Sequence, residues 1–173
     1  MSQIDFLLES FHRNARVNEV LFEALAPGDF VLSDGLGGWT VERHLRHMAR
    51  FRSGWLWNIA REYAHPLFDH TQQDAEGDSQ WRWQDSPPGE LTDALVAGDR
   101  AAVQAVQAHL ASGEPFVNSS REAAYLSSPA HFLQHTIVHD SHHRGQVMAL
   151  LRQGGRTKGQ MDELDEHWAI WRE

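Results

Sequence analysis

Residues 128–155 read Ser128-Pro129-Ala130-His131-Phe132-Leu133-Gln134-His135-Thr136-Ile137-Val138-His139-Asp140-Ser141-His142-His143-Arg144-Gly145-Gln146-Val147-Met148-Ala149-Leu150-Leu151-Arg152-Gln153-Gly154-Gly155. A hydroxyl followed by proline in the first turn starts a helix, and paired glycines stop one. Nothing between them breaks it, so this stretch predicts one long helix. Residues four apart differ by about 40° around a helix, so His139 and His143 share a face and can reach one ion. The same step also joins His131 to His135 and His135 to His139, and spacing alone does not choose among the three pairs. On a helical projection Phe132 and Leu150 fall between His139 and His143, which turns that pair inward or towards a cleft rim. His142 sits about 60° further round. Histidines so placed also make ordinary hydrogen bonds or lie exposed.

Working outward, the rest of the chain reads as helices and punctuated loops. Residues 2–26 carry Ile4, Leu7, Leu8, Phe11, Ala15, Val20, Leu21 and Leu25 on a helical stripe, with Ser2 as the cap and Pro27-Gly28 as the stop. Ser33 to Trp39 holds Gly35, Gly37 and Gly38 and is a loop. Thr40 caps a second helix to about Tyr63, with Val41, Leu45, Met48, Trp55, Leu56 and Ile59 on its apolar arc. His65 to Gly89 reads as a long connection pinned by Trp81 and Trp83. A third helix spans about 90–112 and stops at Gly113 and Pro115. Residues 113–127 suit a small irregular or hairpin element. A short tail helix, about 161–172, has Leu164, Trp168 and Trp171 in register, the two tryptophans docking it. No window alternates as a strand does, and no repeat is visible. The expected architecture is all-α: a single domain over residues 1–173, a four-helix bundle with a long connection between helices 2 and 3 and a short C-terminal helix.

Composition narrows the function. The 173 residues include no cysteine, which excludes disulfides, thiolate metal sites and a cysteine nucleophile. No apolar run is long enough to cross a membrane, and charged residues interrupt the N-terminal stripe, so a cytoplasmic protein is expected. Acids outnumber bases 24 to 15, a net charge of −9 that disfavours nucleic acid as a partner. Histidine, at 12, nearly matches Lys plus Arg. Arginine bias, with Lys158 the only lysine, is what base composition produces. The acidic run Asp162, Glu163, Asp165 and Glu166 suits a solvated helix start.

A third metal ligand must come from another helix. His44 and His47 both lie in or beside the second helix's apolar arc; the projection slightly favours His44, which sits nearer its middle. Trp55 and Trp57 on the same helix either pack in the core or line a pocket.

Two motifs then carry a resemblance: Gly38-Trp39-Thr40-Val41 with His47 eight residues after the tryptophan, and His139-Asp140-Ser141-His142-His143-Arg144-Gly145-Gln146. Together, and over essentially the whole chain, they resemble the DinB/YfiT-like family. The resemblance implies a four-helix bundle holding a divalent ion on three histidines, with the ligands falling on His47, His139 and His143, and it overrules the projection at His44. Many members carry a carboxylate or other polar group where this chain has Arg52. Arg144 and Gln146 match the motif, with a role in orienting ligands or packing helices.

Three neutral imidazoles leave the charge of zinc, nickel or iron(II) uncompensated and a coordination position open, as in catalytic sites. The resemblance therefore implies a divalent-metal-dependent enzyme acting on a small molecule, foremost the transfer of a low-molecular-weight thiol to an electrophile. A non-catalytic metal-binding stress-response or interaction protein is the other reading. Relatives are often dimers, and a two-fold homodimer is expected.

Overall fold

The computed structural model describes residues 3–73, 77–119 and 123–173. The chain is mostly helical: α1 (Gln3–Glu23), α2 (Val41–Ile59), α3 (Arg61–Ala64), α4 (Leu91–Ser112), α5 (Ala130–Gln153) and α6 (Lys158–Glu166), with short 3-10 turns at His65–Leu67, Pro88–Glu90 and His167–Arg172. The long helices pack on one another, α2 against α4 and α5, and α1 against α5 and α4. Between them lie Phe11, Leu45, Met48, Leu56, Leu95, Phe132, Leu133 and Leu151, all sealed from solvent. Burying such side chains stabilises by about 1.5–3 kcal/mol each, ample for a fold without staples. None of the described helices is long and apolar enough to cross a membrane.

Several ends fall where the local chemistry puts them. Thr40 accepts from the Arg43 N–H at 3.2 Å and caps α2. Gly113, at φ 76°, closes α4 with its N–H on His109 O at 3.0 Å. Ser128 Oγ accepts from the Ala130 N–H, and Gly154-Gly155 end α5. The expected cap at Ser2 lies outside the described residues.

Three expectations need correction. The second helix stops at Ile59, not Tyr63, because Ala60 leaves the helical region (φ −154°, ψ 66°) and turns Ala64 and Leu67 towards α4. The connection after it is not free of strands: β1 (Phe68–Gln73) pairs antiparallel with β2 (Ser79–Trp81), Phe68 facing Trp81. Alternation gave no sign of this strand, because after Phe68 its residues are mostly exposed and one buried pair holds it. Trp81 does pin the segment, donating from Nε1 to Ser53 Oγ at 3.2 Å. Residues 113–119 and 123–127 take the irregular form, one of the two expected, with Phe116 buried. Lastly, the tail helix starts earlier, on a capping box between Thr157 and Gln160, and tightens to a 3-10 turn after Glu166. Trp168 packs on the core, but Trp171 is exposed; the other anchor is buried Ile170, whose carbonyl accepts from Arg13.

Candidate metal centre

His139 and His143 sit one turn apart on α5 and face α2, where His47 projects between them. One nitrogen from each of the three rings lies within 4.8 Å of the others. Ring centroids are 4.9 Å apart for His47 and His139, 4.8 Å for His47 and His143, and 4.5 Å for His139 and His143. Nitrogens sharing a zinc-like ion stand roughly 3–3.5 Å apart, a contraction within reach of small rotations of the three side chains.

The other histidines of α5 are engaged elsewhere. His135 Nδ1 pairs with the Tyr125 hydroxyl at 2.8 Å, His131 with Ser127, and His142 Nε2 with Gln146 at 3.0 Å. His44 is buried and outside the triad, yet it is bound to it: its Nδ1 lies 3.0 Å from His143 Nδ1.

Aromatic rings wall the cluster. Phe51 stacks on His139 at 3.8 Å, and Trp39 lies parallel to His143 at 5.7 Å and edge-on to His47 at 5.1 Å. The Gly-Trp-Thr loop delivers Trp39. In it Asp34 accepts from the Leu36 and Gly38 N–H groups, and Gly37 takes a left-handed φ of 91°. A side chain at Gly38 would run into Asp34.

Behind the histidines lies a buried polar network that sequence reasoning missed. Asp140 Oδ2 accepts from Asn14, Asn18 and Arg52 at 2.7, 2.7 and 2.5 Å, and Oδ1 from Arg52 at 2.8 Å. Arg52 also donates to Asp99 at 2.6 Å and to Met48 O. Arg144 donates to Asn14 Oδ1 and Asn18 Oδ1, and its guanidinium sits 5.7 Å from the Trp168 ring. Arg52 is thus a buried helix-to-helix tie, removed from solvent and from the triad's open side. A signal for the network was present: Asn14 and Asn18 stand four apart beside Phe11, Ala15 and Leu21 on the inner face of α1.

Electrostatics follow from this layout. Burial first, then His139, His47, His44 and His142, push His143 down to about 3. Burial and neighbouring imidazoles also hold His44 and His47 below the ordinary histidine value. These rings stay neutral at pH 7, the form that binds a metal. Burial works to raise Asp140, but Arg52 and the hydrogen bonds hold its carboxyl far below the usual range. Asp99, with Oδ2 buried and unbonded, is pushed up to about 6, chiefly by burial.

The donor set could hold a divalent ion, and His139 has lone pairs to give it. Both ring nitrogens of His139 are buried without a hydrogen-bond partner. The Asp140 oxygen, 3.6 Å from Nδ1, is too far to bond it. Leaving such groups unbonded costs about 1–3 kcal/mol each, and ligation would remove that cost at one of the two nitrogens.

Two clefts reach the triad. One, of about 530 Å³, is lined by Trp39, His44, His142, His143, Gln146 and Leu150 among others. The other, of about 410 Å³, runs along α2 past His47, Arg50, Phe51, Gly54, Trp55 and Asn58. Trp55 therefore lines a pocket, whereas Trp57 packs on Phe68 at 4.4 Å.

A model of the DinB family matches residues 1–173, the whole chain. No curated protein and no solved structure matches it.

Proposed function

The chain belongs to the DinB family, whose members are generally metal-dependent, and from that premise we propose that it is a divalent-metal-dependent enzyme that transfers a low-molecular-weight thiol to a small electrophile. Its scaffold in this reading is the family's four-helix bundle of α1, α2, α4 and α5, and its metal ligands are His47, His139 and His143. The observation that carries the proposal is the triad flanked by two clefts, one beside His143 and one beside His47. A two-substrate transfer needs such twofold access, and a sealed structural site does not. Lacking cysteine, the chain cannot supply the sulfur itself.

Held by His47, His139 and His143 as neutral imidazoles, a divalent ion would keep its charge and would favour a substrate thiol as its thiolate, the proton leaving to solvent. The chain's own residues arrange the site around that chemistry. His44 pairs with Nδ1 of His143; with His143 as the donor, the ring's other nitrogen would carry the lone pair that holds an ion. Phe51 and Trp39 fill space beside the rings, limit their rotation and exclude water. Asp140, immobilised by Arg52, Asn14 and Asn18, sets negative charge behind His139. The reading includes a cytoplasmic setting, where small thiols are kept reduced, and a homodimer.

The test is elemental analysis of purified protein, then a screen of small thiols against electrophiles with and without the ion. Ion-dependent loss of free thiol supports the proposal. Bound metal with no turnover of any pair shifts the assignment to a non-catalytic metal protein.

A further inference from the structure

We propose that the cleft along the outer face of α2 is the subsite for the electrophile, and that it selects a small molecule carrying a carboxylate on a flat apolar body. This rests on the transferase reading, in which the electrophile needs its own place beside the histidines.

Charge supplies the first argument. α2 holds four arginines, Arg43, Arg46, Arg50 and Arg52, against the single acid Glu42, in a chain of net charge −9. Three of the four are accounted for. Arg46 is paired with Glu42 and the carbonyls of Trp83, Gln84 and Ser86; Arg52 is paired with Asp99 and Asp140; and Arg43 lies over the Trp39 ring. The Arg43 side chain has that ring contact alone, and Arg50 is the one of the four with no hydrogen bond, ion pair or ring contact among the described residues; it is exposed. No acidic side chain lines the cleft it borders. A guanidinium presents a planar fork of donors that matches a carboxylate in a bidentate pair. Arg50 stands one turn from His47, so an anion held there places the body of the molecule beside the triad.

Shape supplies the second. Phe51 and Trp55, edge to face at 6.3 Å, form the apolar lining of a cleft of about 410 Å³, room enough for a small flat group. The floor is Gly54, in the interior of α2, where glycine costs about 1 kcal/mol relative to alanine. A side chain there would meet nothing within 4 Å, so close packing does not demand this glycine. At Gly98 on α4 the contrast is plain: an added carbon would come within 3.1 Å of Arg52. What Gly54 provides is open space over the helix, next to a metal-site histidine. A second copy of the chain seated here would bury Arg50 with no counter-charge from the cleft, which disfavours that occupant.

The experiment compares trans-cinnamate with its neutral isostere cinnamamide at pH 7.5, by amide chemical-shift titration of both the zinc-loaded and the chelator-treated protein. Cinnamate is expected to shift the Gly54 and Asn58 amides and to bind about tenfold more tightly than the amide in both forms. Arg50→Gln erases that preference. Gly54→Leu blocks both ligands and leaves the circular dichroism unchanged, since leucine suits a helix better than glycine. Equal binding of acid and amide, no effect of Arg50→Gln, or shifts confined to other surfaces overturns the subsite. So does Arg50→Glu altering the oligomeric state of a protein that binds neither probe, which makes the face an interface. The two readings fail separately. Arg50-dependent binding without thiol transfer removes the transferase and keeps the subsite; transfer at a rate indifferent to Arg50→Gln does the reverse.

Discussion

His44 and His143 meet Nδ1 to Nδ1 at 3.0 Å, across the boundary between α2 and α5. One ring must donate and the other accept, so the two tautomers are coupled, and with His143 as the donor its other nitrogen keeps a lone pair for an ion. Ligand orienters of this kind typically contribute 10–100-fold in metal affinity. His44→Phe is therefore expected to weaken zinc binding by about that factor without unfolding the protein. Competition against a chromophoric chelator measures it; an unchanged affinity removes His44 from the site.

Replacing a triad member acts more severely. His143→Ala or His139→Ala should abolish metal retention while leaving helical content intact, because the core between the long helices supplies the stability. Circular dichroism and elemental analysis on the same sample decide it. Unfolding on loss of the ion would make the site structural, as in a zinc finger.

Asp140 is the opposite case. It is fully buried and takes hydrogen bonds from α1 and α2 at once. Asp140→Asn leaves the Arg52 charge short of its partner, a change that costs about 3–5 kcal/mol when a buried ion pair is broken from one side. A urea midpoint within error of the parent contradicts the network's role.

Acid should destabilise the ion-free protein. His143, His44 and His47 have folded-state values below that of the unfolded chain, so protons bind the unfolded state more tightly. Their contribution is complete above about pH 6.5 and is lost as pH falls towards about 3, the value for His143. Asp99 works the other way, since its raised value makes protonation favour the fold between about 3.8 and about 6. His135 is lowered as well and Glu19 raised; the four imidazoles outweigh the two carboxyls, so denaturation midpoints of the ion-free protein should fall from pH 7.5 to 4.5, and in a separate, metal-loaded sample the bound metal should fall over the same interval. Midpoints that rise over that interval would count against this balance.

Assembly gives the last test. Val31, Leu36, Val117, Leu126 and Val138 are all more than half exposed, apolar surface that a partner copy can cover. Light scattering should return roughly twice the chain mass of 19.7 kDa; a monomer at micromolar concentration removes the dimer.

The sequence by itself determined what depends on neighbours along the chain. Thr40, Gly113 and Ser128 mark helix ends because capping is local chemistry, and His139 with His143 share a face because helical geometry is periodic. The resemblance carried by the Gly-Trp-Thr and His-rich motifs added the family. Spacing did not determine which of His44 and His47 faces the pair. The two stand three apart on one arc, and their roles separate only when α5 packs against α2, which leaves His47 at the triad and His44 behind His143. Arg52 is similar: along the chain it resembles any other helix arginine, and its partners Asp99 and Asp140 lie 47 and 88 residues away. The hairpin was hidden for the same reason, since Phe68 and Trp81 hold it through burial that no local pattern encodes. Backbone form follows from short-range sterics and hydrogen bonds. Which side chains share a pocket follows from long-range packing, and only the folded chain decides it.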